Sequence, residues 1–183
     1  MTTLPNLLIL LAAILAVFAG CAFQGLRQLL GAQVDLLPAL MVYTALTSGP
    51  VPMMTLAVVG GLFFDALSTN PPGTSVLPLL CVGFLVQFRR DLLLREQVYA
   101  QFVLGLIASA IAPVVTLLTL LTFGQSPLLG WGSLWQWIVM SVGGGAATPV
   151  FFWLFDRLNH ALGYKPMIET SFRADREIRR GRN

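Results

Sequence analysis

The sequence predicts an all-α integral membrane protein, a compact bundle of about six transmembrane helices. Three observations carry that expectation. Of 183 residues, 56% are hydrophobic and only 10% charged, with a mean hydropathy of +0.79. A soluble domain carries about 25% charged residues, so too little polar material is present to cover a water-facing surface. The apolar residues also fall into six runs, against the roughly 20 residues that a span needs. Finally, the cations segregate to one side of the layout those runs impose, as cytoplasmic loops do. Such a chain leaves no room for a soluble catalytic domain. The expected division is a six-span transmembrane domain, 1–155, and a basic cytoplasmic tail, 156–183.

The first span is expected at 4–24. Its "FAGC" resembles a lipoprotein processing site, but no cation precedes the run and Phe18 fits that site poorly. A signal peptide carries a positive n-region, so the segment is read as a span. The second and fourth spans, 36–48 and 75–88, are short and carry Pro38 and Pro78. Both adjoin turn-forming clusters, "TSGPVP" and "STNPPGTS", so they are expected as tilted, broken or partly re-entrant helices. The third, fifth and sixth are expected at 51–68, 98–123 and 134–155. Cys21 and Cys81 lie in separate apolar runs outside any CxxC pattern and read as small buried hydrophobes.

With six spans, one side collects Arg89, Arg90, Arg95 and seven tail cations: Arg157, Lys165, Arg173, Arg176, Arg179, Arg180 and Arg182. Arg27 alone falls opposite, which makes both termini cytoplasmic. Trp131, Trp135 and Trp137 then mark the outer start of the sixth span and Trp153 its inner end, about 24 Å apart from Trp137 at the helical rise. Interfacial anchoring is favoured over ligand stacking for these rings.

Asp65 stands near the outer end of the third span, where an ionisable group is a functional candidate by default. Ala57, Gly61 and Asp65 recur at spacings of four on one helix face, and small residues there admit a close neighbour. Two partners suit the carboxylate: the start of the fourth span near Thr74 and Ser75, whose N–H groups attract an anion, or Arg27. Either makes Asp65, with Pro71, Pro72 and Gly73, a structural clamp at the outer turn. A proton or cation relay is the rival reading, but no further acid or histidine lies at membrane depth in the expected spans.

Small residues recur as Gly105 and Ser109 in the fifth span and as Ser141, Gly143, Gly144, Gly145 and Ala147 in the sixth. These read as internal packing faces or as a docking surface for a partner's transmembrane helix. The single histidine, His160, follows Asp156 by four residues, too few ligands for a metal site. No HExxH, Walker A, GxSxG or dinucleotide motif occurs. Neither an enzyme, a cofactor nor a nucleic-acid partner is expected. The basic inner surface suits anionic lipid headgroups or an acidic partner.

The order "DLLPALMVYTAL", "GGLFFDALSTNPPGTSVLPLL", a basic inner loop, two further spans and a terminal "REIRRGR" resembles the bacterial rod shape-determining MreD family over nearly the whole chain. The triple glycine of the sixth span maps to no pattern of that family. The resemblance implies a non-enzymatic, multi-pass inner-membrane scaffold of the cell-wall elongation machinery. It implies MreC as partner, with links to other wall-elongation membrane proteins and indirectly to MreB. It also implies a fold shared with the substrate-binding subunits of energy-coupling-factor transporters, and a structural role for Gly61, Asp65 and the Pro71–Gly73 turn. The alternative from another class is a small-molecule-binding subunit of a vitamin-type transporter, with an outer pocket near Asp65, Asn70 and the tryptophans.

Overall fold

Six helices make up a computed structural model that describes residues 3–22, 31–32, 34–68, 71–89, 97–124 and 130–161. In chain order they are α1 (Thr3–Ala22), α2 (Leu37–Thr47), α3 (Pro50–Leu67), α4 (Val76–Arg89), α5 (Val98–Thr122) and α6 (Trp131–Ala161). No strand occurs among the described residues. Three helices, α3, α5 and α6, are long and apolar enough to cross a membrane. The others present shorter apolar stretches among the described residues, Leu7–Phe18, Leu37–Thr47 and Val76–Arg89. At the α-helical rise, α2 covers about 16 Å and α4 about 21 Å, against about 27 Å for α3 and about 46 Å for α6.

The short helix α2 forms the centre. Every residue from Leu37 to Leu46 is buried, and all five other helices pack on it. Tyr43 sits between two rings of α6, stacked on Phe155 at 4.5 Å and edge-on to Phe152 at 5.0 Å. A helix apolar all round suits a protein core or a membrane span, and at the centre of the bundle α2 needs no polar stripe. Its proline does not break it. Pro38 lies in the first turn of α2 and Pro78 in the first turn of α4. There a missing N–H costs nothing and the fixed φ favours helix. Of the tilted, broken or partly re-entrant helices expected here, the broken form is not what the structure shows: both are continuous short helices.

Hydroxyls inside the helices return their hydrogen bonds to their own backbone. Thr44, Thr116, Thr119, Ser141 and Thr148 each donate to the carbonyl four residues earlier, at 2.8–2.9 Å. This local satisfaction suits a medium without water. It also explains how a bundle of apolar helices tolerates so many threonines.

Two expectations need correction. The sixth helix continues to Ala161, so the boundary expected at 155 falls inside it. Apolarity ends near Phe155, but the residues that follow form helix readily and carry their polar ends outward, where Arg157 lies 5.4 Å from the Trp153 ring centroid. Cys81 is exposed rather than buried: it stands on the outward face of α4, and a small apolar thiol suits an apolar surrounding as well as a core. The side chain of Cys21 lies outside the described residues.

Candidate functional site

The α3 face that carries Ala57, Gly61 and Asp65 is buried along its length. Gly61 is where the next helix touches it. A β-carbon there would lie 3.0 Å from both the backbone N and Cα of Val76, and 2.9 Å from Val76 Cγ2. Glycine therefore sets the separation at which α4 starts beside α3, and one turn further along α3 that approach brings the Asp65 carboxylate onto the turn between the helices.

Asp65 is 2% exposed. Its Oδ2 accepts the Gly73 N–H at 2.7 Å and the Ser75 N–H at 3.2 Å. Its Oδ1 lies 3.3 Å from the Thr74 hydroxyl, which has a shorter bond of 2.8 Å to the Pro71 carbonyl. One hydroxyl proton serves one acceptor at a time, so the shorter bond holds it. Gly73 adopts φ +96°, a conformation that side-chain-bearing residues avoid, and this aims its N–H at the carboxylate. Pro71 is half-buried and the tip residue Pro72 exposed. Of the two partners suggested for Asp65, the structure brings in the start of α4. Arg27 and Asn70 lie outside the described residues.

A second carboxylate does related work that the sequence reading passed over. Asp35 Oδ1 accepts the Leu37 N–H at 2.9 Å, an Asx turn that leads the chain into α2. The signal was legible as an aspartate two residues before an apolar run with proline in its first turn.

The small residues of α5 and α6 meet each other. Gly105 faces Thr148 and the Gly144 carbonyl, and Ser109 packs directly on Gly144, with no room for a β-carbon at either glycine. Gly145 faces Phe102 and Leu106, and Gly143 faces Val34 of the chain entering α2. Ser141 is buried and Ala147 half-buried. At Gly105, Gly143, Gly144 and Gly145 the neighbour is therefore another part of this chain. Ser109 Oγ is buried without a hydrogen-bond partner among the described residues.

Of the cations expected on a basic inner surface, Arg89 is exposed in the last turn of α4. Arg90, Arg95, Arg173, Arg176, Arg179, Arg180 and Arg182 lie outside the described residues. The four tryptophans are all exposed on α6. Trp137 Nε1 also donates to the Ala110 carbonyl at 2.9 Å, so this ring ties α6 to α5. Among the described residues, no three His, Cys, Asp or Glu side chains converge as a metal site would require. No family model, curated protein or solved structure matches the chain.

Proposed function

We propose that this protein is a non-enzymatic, multi-pass scaffold of the bacterial inner membrane, with both termini cytoplasmic. It would belong to the cell-wall elongation complex, bind MreC, and be linked through it to peptidoglycan synthesis. The support for the cellular role is the order of segments that resembles the MreD family. The support for a scaffold comes from the clamp. The charged side chain in the midst of the α3–α4 contact is committed to backbone N–H groups of its own chain. A carboxylate used this way holds two helices in register, and rigid presentation of helices is what a scaffold contributes.

The test is affinity purification of the tagged protein from its native membrane in mild detergent, with mass spectrometry of what accompanies it. MreC and wall-synthesis proteins are the expected companions. Recovery of a transporter coupling subunit with its ATPases would overturn the scaffold in favour of a substrate-binding transport subunit.

A further inference from the structure

Two prolines lie inside the long helices, Pro113 in α5 and Pro149 in α6. Lacking an N–H, each leaves the carbonyl four residues earlier without its helical donor, and such positions are where helices bend. Their surroundings differ. Pro149 lies in the seam where α5 and α6 press together. A β-carbon on Gly105 would stand 2.7 Å from Thr148 Cβ, one on Gly144 2.6 Å from Ser109 Cβ, and one on Gly145 3.3 Å from the Phe102 carbonyl oxygen. A bend at Pro149 would break this packing. Pro113 stands one turn beyond Ser109, the last of these contacts along α5, and is half-buried.

Two carbonyls beside Pro113 have side-chain donors. Trp137 Nε1 of α6 donates to the Ala110 carbonyl at 2.9 Å. The Thr116 hydroxyl donates to the Ala112 carbonyl at 2.9 Å. The helical donor to Ala110 is the Val114 N–H, on the far side of Pro113, and that to Ala112 is the Thr116 N–H. A carbonyl has two lone pairs and can hold a helical and a side-chain donor together. With the side-chain donor in place it stays satisfied when the helical bond lengthens. A membrane helix tolerates proline where a neighbouring helix and hydroxyl side chains serve the freed backbone groups, and α5 has one donor of each kind.

We propose that α5 hinges at Pro113 and that the Trp137 indole is the hinge's donor, letting the Ala110 carbonyl release the Val114 N–H. The glycine seam from Gly105 to Ser109 holds the first part of α5 on α6, while the part from Pro113 to Thr122 changes direction. A proline bend exceeds about 20°. Over the eight residues from Pro113 to Leu121, about 12 Å at the helical rise, a swing of that size moves the Leu121 end by about 4 Å. The bundle below keeps its register, so the hairpin has one movable element on a fixed base.

The test is the distance between paired spin labels in phospholipid nanodiscs, on a background with Cys21 and Cys81 replaced by alanine. One pair, Leu121→Cys with Leu134→Cys, reads the far part of α5 against α6. A reference pair, Ile107→Cys with Val150→Cys, reads the two helices on the seam side of Pro113; all four positions are exposed. Trp137→Phe keeps a ring and removes the N–H, and Pro113→Ala restores the backbone donor to Ser109. Both are expected to move the first distance towards one common value, by up to about 4 Å, and together no further. The reference distance is expected to stay. No shift in either variant, a shift in only one, opposite shifts, a further shift in the double variant, or an equal shift at the reference pair would overturn the hinge. Should Trp137→Phe not fold, hydrogen exchange of the parent protein decides: faster exchange at 114–117 than at 102–109 is expected, and equal protection would overturn the hinge. None of these results touches the scaffold reading, which rests on the co-purified partners.

Discussion

Replacing Asp65 by alanine removes the acceptor of two buried N–H groups, those of Gly73 and Ser75, at 2.7 and 3.2 Å. The Thr74 hydroxyl keeps its bond to the Pro71 carbonyl, so its loss is small. A buried donor left without a partner costs about 1–3 kcal/mol. The Ser75 N–H, at the start of α4, is the easier of the two to accommodate, so Asp65→Ala is expected to cost about 2–4 kcal/mol. For a chain of this size that is a fall of roughly 5–15 °C in the melting temperature. Asparagine behaves differently. Both N–H bonds fall on one oxygen, and an amide carbonyl in that place accepts both, while its NH2 group meets the Thr74 hydroxyl. Only charge assistance is lost, about 1 kcal/mol. Thermal unfolding of the two variants in one detergent measures the difference. The clamp predicts near-native stability for Asp65→Asn and a marked loss for Asp65→Ala. Equal damage by both, or none by alanine, would refute it, whereas a relay would be stopped by Asn however stable the protein.

Three further substitutions follow from the packing. Gly61→Ala drives a methyl into the Val76 backbone and should cost about 1–3 kcal/mol, the usual cost of overpacking, read as a lower melting temperature. Ser109→Ala removes a buried hydroxyl without a hydrogen-bond partner among the described residues, so stability should stay within about 0.5 kcal/mol of the parent or rise. A larger loss would reveal a partner for that hydroxyl. Phe155→Ala takes away the ring stacked on Tyr43 and should cost about 3–5 kcal/mol, as large-to-small changes of buried aromatics do, seen as lost folded yield in size-exclusion chromatography.

The sequence by itself determined which stretches become helix. In a medium that cannot hydrogen-bond the backbone, an apolar run has little choice but to satisfy itself from residue to residue, and composition alone carries that instruction. It also brought Asp65 and the "NPPGTS" turn together as candidates, because a carboxylate eight to ten residues before its donors is within reach of any tight hairpin. Tertiary structure decided the rest. Nothing in "LPALMVYTALT" says that this helix lies at the centre rather than against lipid, since both surroundings accept the same side chains. The contacts that settle it, Leu37 on Gly60 and Val34 on Gly143, join residues far apart in the chain. The same holds for the small residues of α5 and α6, whose spacing marked a close-packing face without saying which helix would occupy it. The extension of α6 to Ala161 and the exposed Cys81 were hidden for a related reason. Hydropathy measures what a segment tolerates, while its neighbours are fixed only when helices of unequal length find their common register.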